Sequence, residues 1–192
     1  MSSPEYPDQG PRGSLRIAIG SDRAGFAYKR ALETELRRSP QVGAVLDVGV
    51  DERARTAYPL VALAAAQLIA EDKADRALLV CHTGLGMAIA ANKVAGVRAV
   101  TAHDPYSVRH AVLHNDAQVL ALGAGIVGLA VARQVVAGWL NLRFDPRSSA
   151  AAKVALLRHI EPSQPLAAPH GELPPADGRI EAPDAHGRHH RA

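Results

Sequence analysis

The chain has a single cysteine, Cys81, which excludes an internal disulfide and suits a reducing compartment, so the cytoplasm is the expected location. Aromatic residues are scarce at 4%. Single-stranded nucleic-acid binders interleave aromatics with their basic residues, so no nucleic-acid partner is expected. No apolar run reaches the roughly 18 uncharged residues that span a bilayer, so no membrane association is expected either. The first 13 residues carry Pro, Ser, Asp and Glu but no apolar h-region, unlike a signal peptide. No G-x-x-x-x-G-K-[ST] motif occurs, and the third glycine that G-x-G-x-x-G would require after Gly84 falls at Ile89. A dinucleotide reading therefore fails on spacing, and a smaller anion such as a sugar phosphate fits better.

What is present is 192 residues, 47% of them apolar, enough for one alanine- and valine-rich domain. Residues 14–161 carry 18 basic and 13 acidic side chains, an excess of five against three for the whole chain, which favours an anionic ligand. Strands are expected at Arg16–Gly20, Val45–Val48, the run before Cys81, Arg98–Ala102 and Val119–Leu122. Helices are expected from the turn after Gly25 to about Arg38, from Tyr58 to about Ala70, and from Met87 to Lys93. Others are expected at Tyr106–Leu113, Ile126–Leu140 and Ala150–Ile160. This alternation predicts an α/β protein, a three-layer Rossmann-like fold with a five-stranded parallel sheet. Ligands of such sheets bind beyond the carboxyl ends of the strands, and every loop singled out below is expected there. Residues 15–161 form the predicted domain. Residues 1–14 and 162–192 are expected to be disordered, the latter rich in Pro and His with few apolar residues. His186, His189 and His190 in that tail are read as part of a disordered segment rather than as a metal site.

The chemistry gathers around Cys81-His82-Thr83-Gly84-Leu85-Gly86. A buried strand ends there and a helix begins, so free backbone N–H groups and the positive end of the helix dipole favour an anion. The same field favours a sulfur anion as nucleophile or base. Asp22 and Arg23 follow the first strand. Asp22 reads as a helix cap or as a partner for a substrate hydroxyl, and Arg23 suits a phosphate oxygen. His114-Asn115-Asp116 stands between a helix and the fifth strand, where a histidine is usually a surface residue but can exchange protons with a sugar oxygen. Arg55-Thr56-Ala57-Tyr58-Pro59 marks a loop running into a helix, and Arg147 and Lys153 read most simply as solvated charges.

Taken together, these segments resemble the ribose-5-phosphate isomerase B family, which includes galactose-6-phosphate isomerase subunits. The likeness runs from Arg16 to about Glu161. It rests on Gly20-Ser21-Asp22-Arg23-Ala24-Gly25-Phe26, the Arg55–Pro59 and Cys81–Gly86 segments, and Ile89-Ala90-Ala91-Asn92-Lys93 with Gly96-Val97-Arg98-Ala99. Pro105-Tyr106-Ser107 and His114-Asn115-Asp116 complete it. The resemblance implies an aldose–ketose isomerase of a phosphorylated sugar, without metal or organic cofactor. Cys81 would be the base, working through a cis-enediolate. Thr83 would support it, and the backbone of Gly84, Leu85 and Gly86 would stabilise the oxyanion. His114 would assist ring opening. Asp22 and Asn115 would hold hydroxyls, Arg23 would bind phosphate, and Tyr58 would line the site. The resemblance also implies a homodimer, or a dimer of dimers, with the site at the subunit interface. Arg147 and Lys153 would then reach the partner's site.

Four departures bear on the substrate. Arg23 replaces a usual histidine, His82 a usual glycine, Ala57 a usual aspartate, and Gly125 a frequent arginine. His82 beside the thiol would act on it or shrink the sugar pocket. Ribose 5-phosphate and a tetrose phosphate such as D-erythrulose 4-phosphate are the two substrates to weigh. One alternative is a non-catalytic sugar-phosphate-binding or regulatory subunit, for which the same departures would mark a degraded site. Another is a thiol-dependent hydrolase using Cys81 and His82, but sequence neighbours usually point apart.

Overall fold

The computed structural model describes residues 13–50 and 56–160. Arg55, most of the N-terminal segment, and the tail with His186, His189 and His190 lie outside the described residues. Within them the order is β1 (Leu15–Ser21), α1 (Phe26–Arg38), β2 (Val42–Asp47), α2 (Tyr58–Ala70), β3 (Arg76–Cys81) and α3 (Leu85–Ala91). Then follow β4 (Ala99–Thr101), α4 (Pro105–Asn115), β5 (Val119–Gly123), α5 (Leu129–Asn141) and α6 (Ala151–Ile160). All strand pairs are parallel, in the order β2-β1-β3-β5-β4. The expected five-stranded parallel sheet is therefore present.

Period-two alternation sorts the strands' side chains into two cores. Ile17, Ile19, Leu78, Val80, Leu120 and Leu122 pack on one face with Leu32, Leu36, Val108, Val112 and Trp139 from α1, α4 and α5. Ala18, Leu79, Cys81 and Ala121 pack on the other with Ala62, Ala65, Ala66, Met87 and Ala91 from α2 and α3. Alanine is the commonest residue of the second core, which lets α2 and α3 lie close to the sheet. Every residue of central β3 is buried. Even Arg76 at its start is accommodated, donating to the Trp139 carbonyl at 2.7 Å.

Several boundaries differ from the sequence expectation. Helix α3 starts at Leu85 and ends at Ala91, because Gly84 takes a left-handed conformation (φ 82°) that opens the helix two residues before Met87. Helix α5 starts at Leu129, not Ile126. The N–H groups of Ile126 and Val127 both donate to the Gly123 carbonyl in a tight turn, and Gly128 is extended. Helix α4 continues through His114 and Asn115, and Asp116 closes it at φ 48°, a conformation aspartate tolerates better than most residues. Strand β2 begins at Val42, three residues early. Asn92 turns out to be a brace: its side-chain amide donates to the Ala99 carbonyl at 2.8 Å and accepts from the Ala99 N–H at 2.7 Å. This ties the end of α3 to β4. Among the described residues no helix is long and apolar enough to cross a membrane.

Candidate functional site

The direction in which strands are added to the sheet reverses between β1 and β3. Strand β2 lies on one side of β1, while β3, β5 and β4 lie on the other. Ligands of doubly wound sheets sit outside the carboxyl ends at such a point, and the loops after β1 and β3 flank it. The first loop is pinned by Asp22, whose Oδ1 accepts from the Gly25 N–H at 3.0 Å. Gly25, not Asp22, occupies the N-cap position of α1, so Asp22 caps the turn ahead of the helix. Gly25 sits against β3, and a Cβ there would lie 2.2 Å from the Val80 carbonyl oxygen and 3.0 Å from the Cys81 nitrogen. Asp22 is half-buried and Arg23 exposed.

Cys81 ends β3 and is 6% exposed. Its Sγ accepts from the Gly84 N–H at 3.1 Å. Gly84 can aim that N–H back because its φ is positive, and its carbonyl is fixed by the Thr101 hydroxyl at 3.1 Å. The Thr83 Oγ1 receives a longer bond, 3.4 Å, from the Leu85 N–H. The first intrahelical bond of α3 runs from the Ala88 N–H to the Gly84 carbonyl. The N–H groups of Leu85, Gly86 and Met87 thus lack helical acceptors, as any first turn does. The Tyr58 ring covers this turn, with its Cε2 only 2.5 Å from where a Cβ on Gly86 would stand. One edge therefore gathers a thiol, its N–H donor, further open N–H groups, a carboxylate, a guanidinium and a phenol. Such a set can hold a phosphorylated polyol and move a proton on it.

His82 is exposed. Among the described residues its imidazole makes no hydrogen bond, and the thiol's partner is the Gly84 N–H. The Cys81–His82 pair that a thiol hydrolase needs is not formed.

The expectation that every singled-out loop lies at the carboxyl edge is corrected for His114, Asn115 and Lys153. Helix α4 leaves the carboxyl end of β4 and runs back about 16 Å over its 11 residues. Its last turn therefore lies at the amino ends of β4 and β5, where Arg98 Nε donates to the Asn115 carbonyl at 3.0 Å. There His114, Asn115, Ser149, Lys153, Leu156 and Ile160 line a groove of about 460 Å³. Arg147 precedes it with its side chain 90% exposed, its Nε donating to Asp145 at 3.2 Å. Asp116 holds this end together, 2.8 Å from Arg98 and 2.9 Å from Arg158 of α6. The residues singled out from the sequence therefore fall into two groups, one at each edge of the sheet.

Sequence reasoning missed His103. Its Nε2 accepts from the Gly123 N–H at 2.9 Å, and Gly123 is the register partner of Cys81. The only signal was a histidine two residues past a strand at the carboxyl edge. Burial holds this imidazole below its ordinary value, against the opposing charge of Asp104, and a protonated ring could not accept the bond. An unfolded histidine titrates near 6.5, so the unfolded chain binds this proton first as pH falls. The stability His103 contributes is complete above about 6.5 and declines below it, towards the folded pKa. Urea midpoints between pH 7.5 and 5 should therefore fall more for the native chain than for His103→Gln, whose amide oxygen can still accept. Equal declines would remove His103 from this account.

The family model described as Ribose/Galactose Isomerase matches residues 17–157. D-erythrulose-4-phosphate isomerase 2 of Mycolicibacterium smegmatis is 58% identical over 144 residues, 73% of this chain and 93% of that protein. Ribose-5-phosphate isomerase B of Escherichia coli is 40% identical over 131 residues, 68% of this chain and 86% of that one. The solved ribose-5-phosphate isomerase B of Clostridium thermocellum superposes with a TM-score of 0.71 at 36% identity. It covers 76% of this chain and 97% of that chain.

Proposed function

The chain belongs to the ribose/galactose isomerase family and is a sugar-phosphate isomerase; from that premise we propose that its substrate is a tetrose phosphate, D-erythrulose 4-phosphate, with Cys81 as the base. The substrate reading is supported by the 58% identity to an isomerase of that name, against 40% for a ribose-5-phosphate isomerase B. The mechanistic reading rests above all on the 3.1 Å bond from the Gly84 N–H to Cys81 Sγ. A sulfur anion in that position takes the proton from the carbon beside the carbonyl. A cis-enediolate forms, and the proton returns to the neighbouring carbon, so aldose and ketose interchange with no change in atoms. The Leu85 and Gly86 N–H groups stabilise the developing oxyanion, and Thr83 orients the loop. Asp22 holds a hydroxyl, Arg23 binds phosphate, and Tyr58 walls the pocket. No metal or organic cofactor is required.

The site is completed by a second copy of the chain, which supplies His114, Asn115, Arg147 and Lys153. The separation of these residues from Cys81 within one subunit supports a homodimer, or a dimer of dimers. With a tetrose 4-phosphate the O4 oxygen is esterified, so no five-membered ring can close, and His114 has no ring to open. It is left to bind the open chain.

The test is an assay of the purified protein on D-erythrulose 4-phosphate and ribose 5-phosphate side by side. We expect kcat/KM to favour the tetrose by tenfold or more, the range one carbon is worth in a fitted pocket. Preference for ribose 5-phosphate would overturn the substrate. Thermal stabilisation by sugar phosphates without turnover of either would point to a binding subunit.

A further inference from the structure

Beyond β3 and β5 the backbone pairing does not stop. The Ala124 N–H donates to the Cys81 carbonyl at 2.8 Å, and the Gly125 N–H donates to the His82 carbonyl at 2.9 Å. His82 and Gly125 are therefore lateral neighbours held in register. The space that a side chain at 125 would take is occupied by the His82 ring. A Cβ on Gly125 would lie 2.4 Å from its Cε1, 2.7 Å from Nδ1 and 2.9 Å from Nε2. Real Cβ atoms do not approach so closely, so a ring in this place and a side chain at 125 exclude each other. The ring nevertheless faces solvent and, among the described residues, has no hydrogen-bond partner. It stands between Cys81 and Thr83 in the chain, at the sheet edge where the thiol lies. Exposed at the carboxyl edge and without a hydrogen bond among the described residues, the ring is open to a ligand bound over that edge.

We infer that His82 and Gly125 form one specificity-determining pair: the missing side chain at 125 seats the His82 ring, and the seated ring shortens the pocket to four-carbon sugar phosphates. This rests on the isomerase reading above and adds the device that sets chain length. In this arrangement neither residue is informative alone. Removing the ring frees more room than one further carbon and its hydroxyl need, and adding a methyl at 125 displaces the ring.

The test is a double-mutant cycle on His82→Gly and Gly125→Ala, reading kcat/KM for D-erythrulose 4-phosphate and ribose 5-phosphate, with thermal unfolding to verify that each variant is folded. Each single variant is expected to lower the tetrose-to-pentose ratio by roughly ten- to a hundredfold. In the His82→Gly background, Gly125→Ala should change the ratio by less than about twofold, because there is no ring left to displace. Equal effects of Gly125→Ala in both backgrounds, or an unchanged ratio in folded His82→Gly, would overturn the pairing. Either result leaves the isomerase reading intact, since turnover persists. Absence of turnover in the native chain would instead defeat that reading first. A Gly125→Ala variant that does not fold is replaced by Gly125→Ser in the same cycle, judged by the same criterion.

Discussion

Cys81→Ala is expected to abolish isomerisation while sugar phosphate still binds within a few-fold of the native affinity. The expectation follows from how little else the thiol does. Its side chain is buried in the small-residue core between the sheet and α2 and α3, where alanine is already the commonest neighbour and fits a strand end without strain. Loss of the sulfur leaves the buried Gly84 N–H without its acceptor, a penalty of about 1–3 kcal/mol on folding that leaves the remaining substrate contacts in place. Loss of the proposed base is not small. Proton transfer by a positioned group contributes roughly 10²–10⁴-fold, and nothing beside Cys81 can take its place. Asp22 is engaged with the Gly25 N–H, and the His82 ring lies over Gly125. Calorimetric titration with the sugar phosphate, beside the rate assay, separates the two contributions. Full activity in this variant would remove Cys81 as the base.

The second large effect is expected at Gly84. Its φ of 82° costs an L-residue about 1–2 kcal/mol. A Cβ there would also stand 2.9 Å from the Thr101 methyl and 3.1 Å from the Ala121 carbonyl oxygen. Relieving such crowding costs about 1–3 kcal/mol more. Gly84→Ala should thus lose a few kcal/mol of stability, and the backbone shift turns the 84 N–H away from sulfur. A fall in kcat of about 10²-fold is expected, of the size seen when one oxyanion donor is removed, with KM changed little. Gly96→Ala is the matched control. Gly96 also has positive φ, 78°, but nothing lies within 4 Å of its would-be Cβ. It should show the backbone cost alone, with native kcat. If Gly84→Ala retained native kcat at a temperature where it is folded, the N–H to sulfur bond would have no part in turnover.

These two residues also show how far the sequence could be read. Cys81 was legible because an unbroken apolar run, Ala77 to Val80, led into it and a glycine loop followed. Strand and helix types were legible for the same reason, since a β-branched or leucine run between glycines has few alternatives in an alternating chain. Strand order was not legible. That β5 inserts between β3 and β4 depends on contacts far apart in sequence, which no local pattern encodes. Nor could spacing reveal that His114 and Asn115 face the opposite edge from Cys81; the direction in which α4 runs decides it. The Gly84 left-handed turn and the seat of His82 over Gly125 depend on the backbone pairing past Cys81. His103 escaped notice because a half-buried histidine accepting one backbone bond leaves no motif.

The most direct measurement is the reaction of the native protein with D-erythrulose 4-phosphate in deuterium oxide, followed by proton and carbon NMR. A proton held on a thiol exchanges with solvent in competition with its return to carbon. The account predicts deuterium at carbon 2 of the aldose product and at carbon 1 of recovered ketose, and neither in Cys81→Ala. Turnover with no deuterium in product or recovered substrate would contradict it, because the hydrogen would then pass between carbons without a base that exchanges with water.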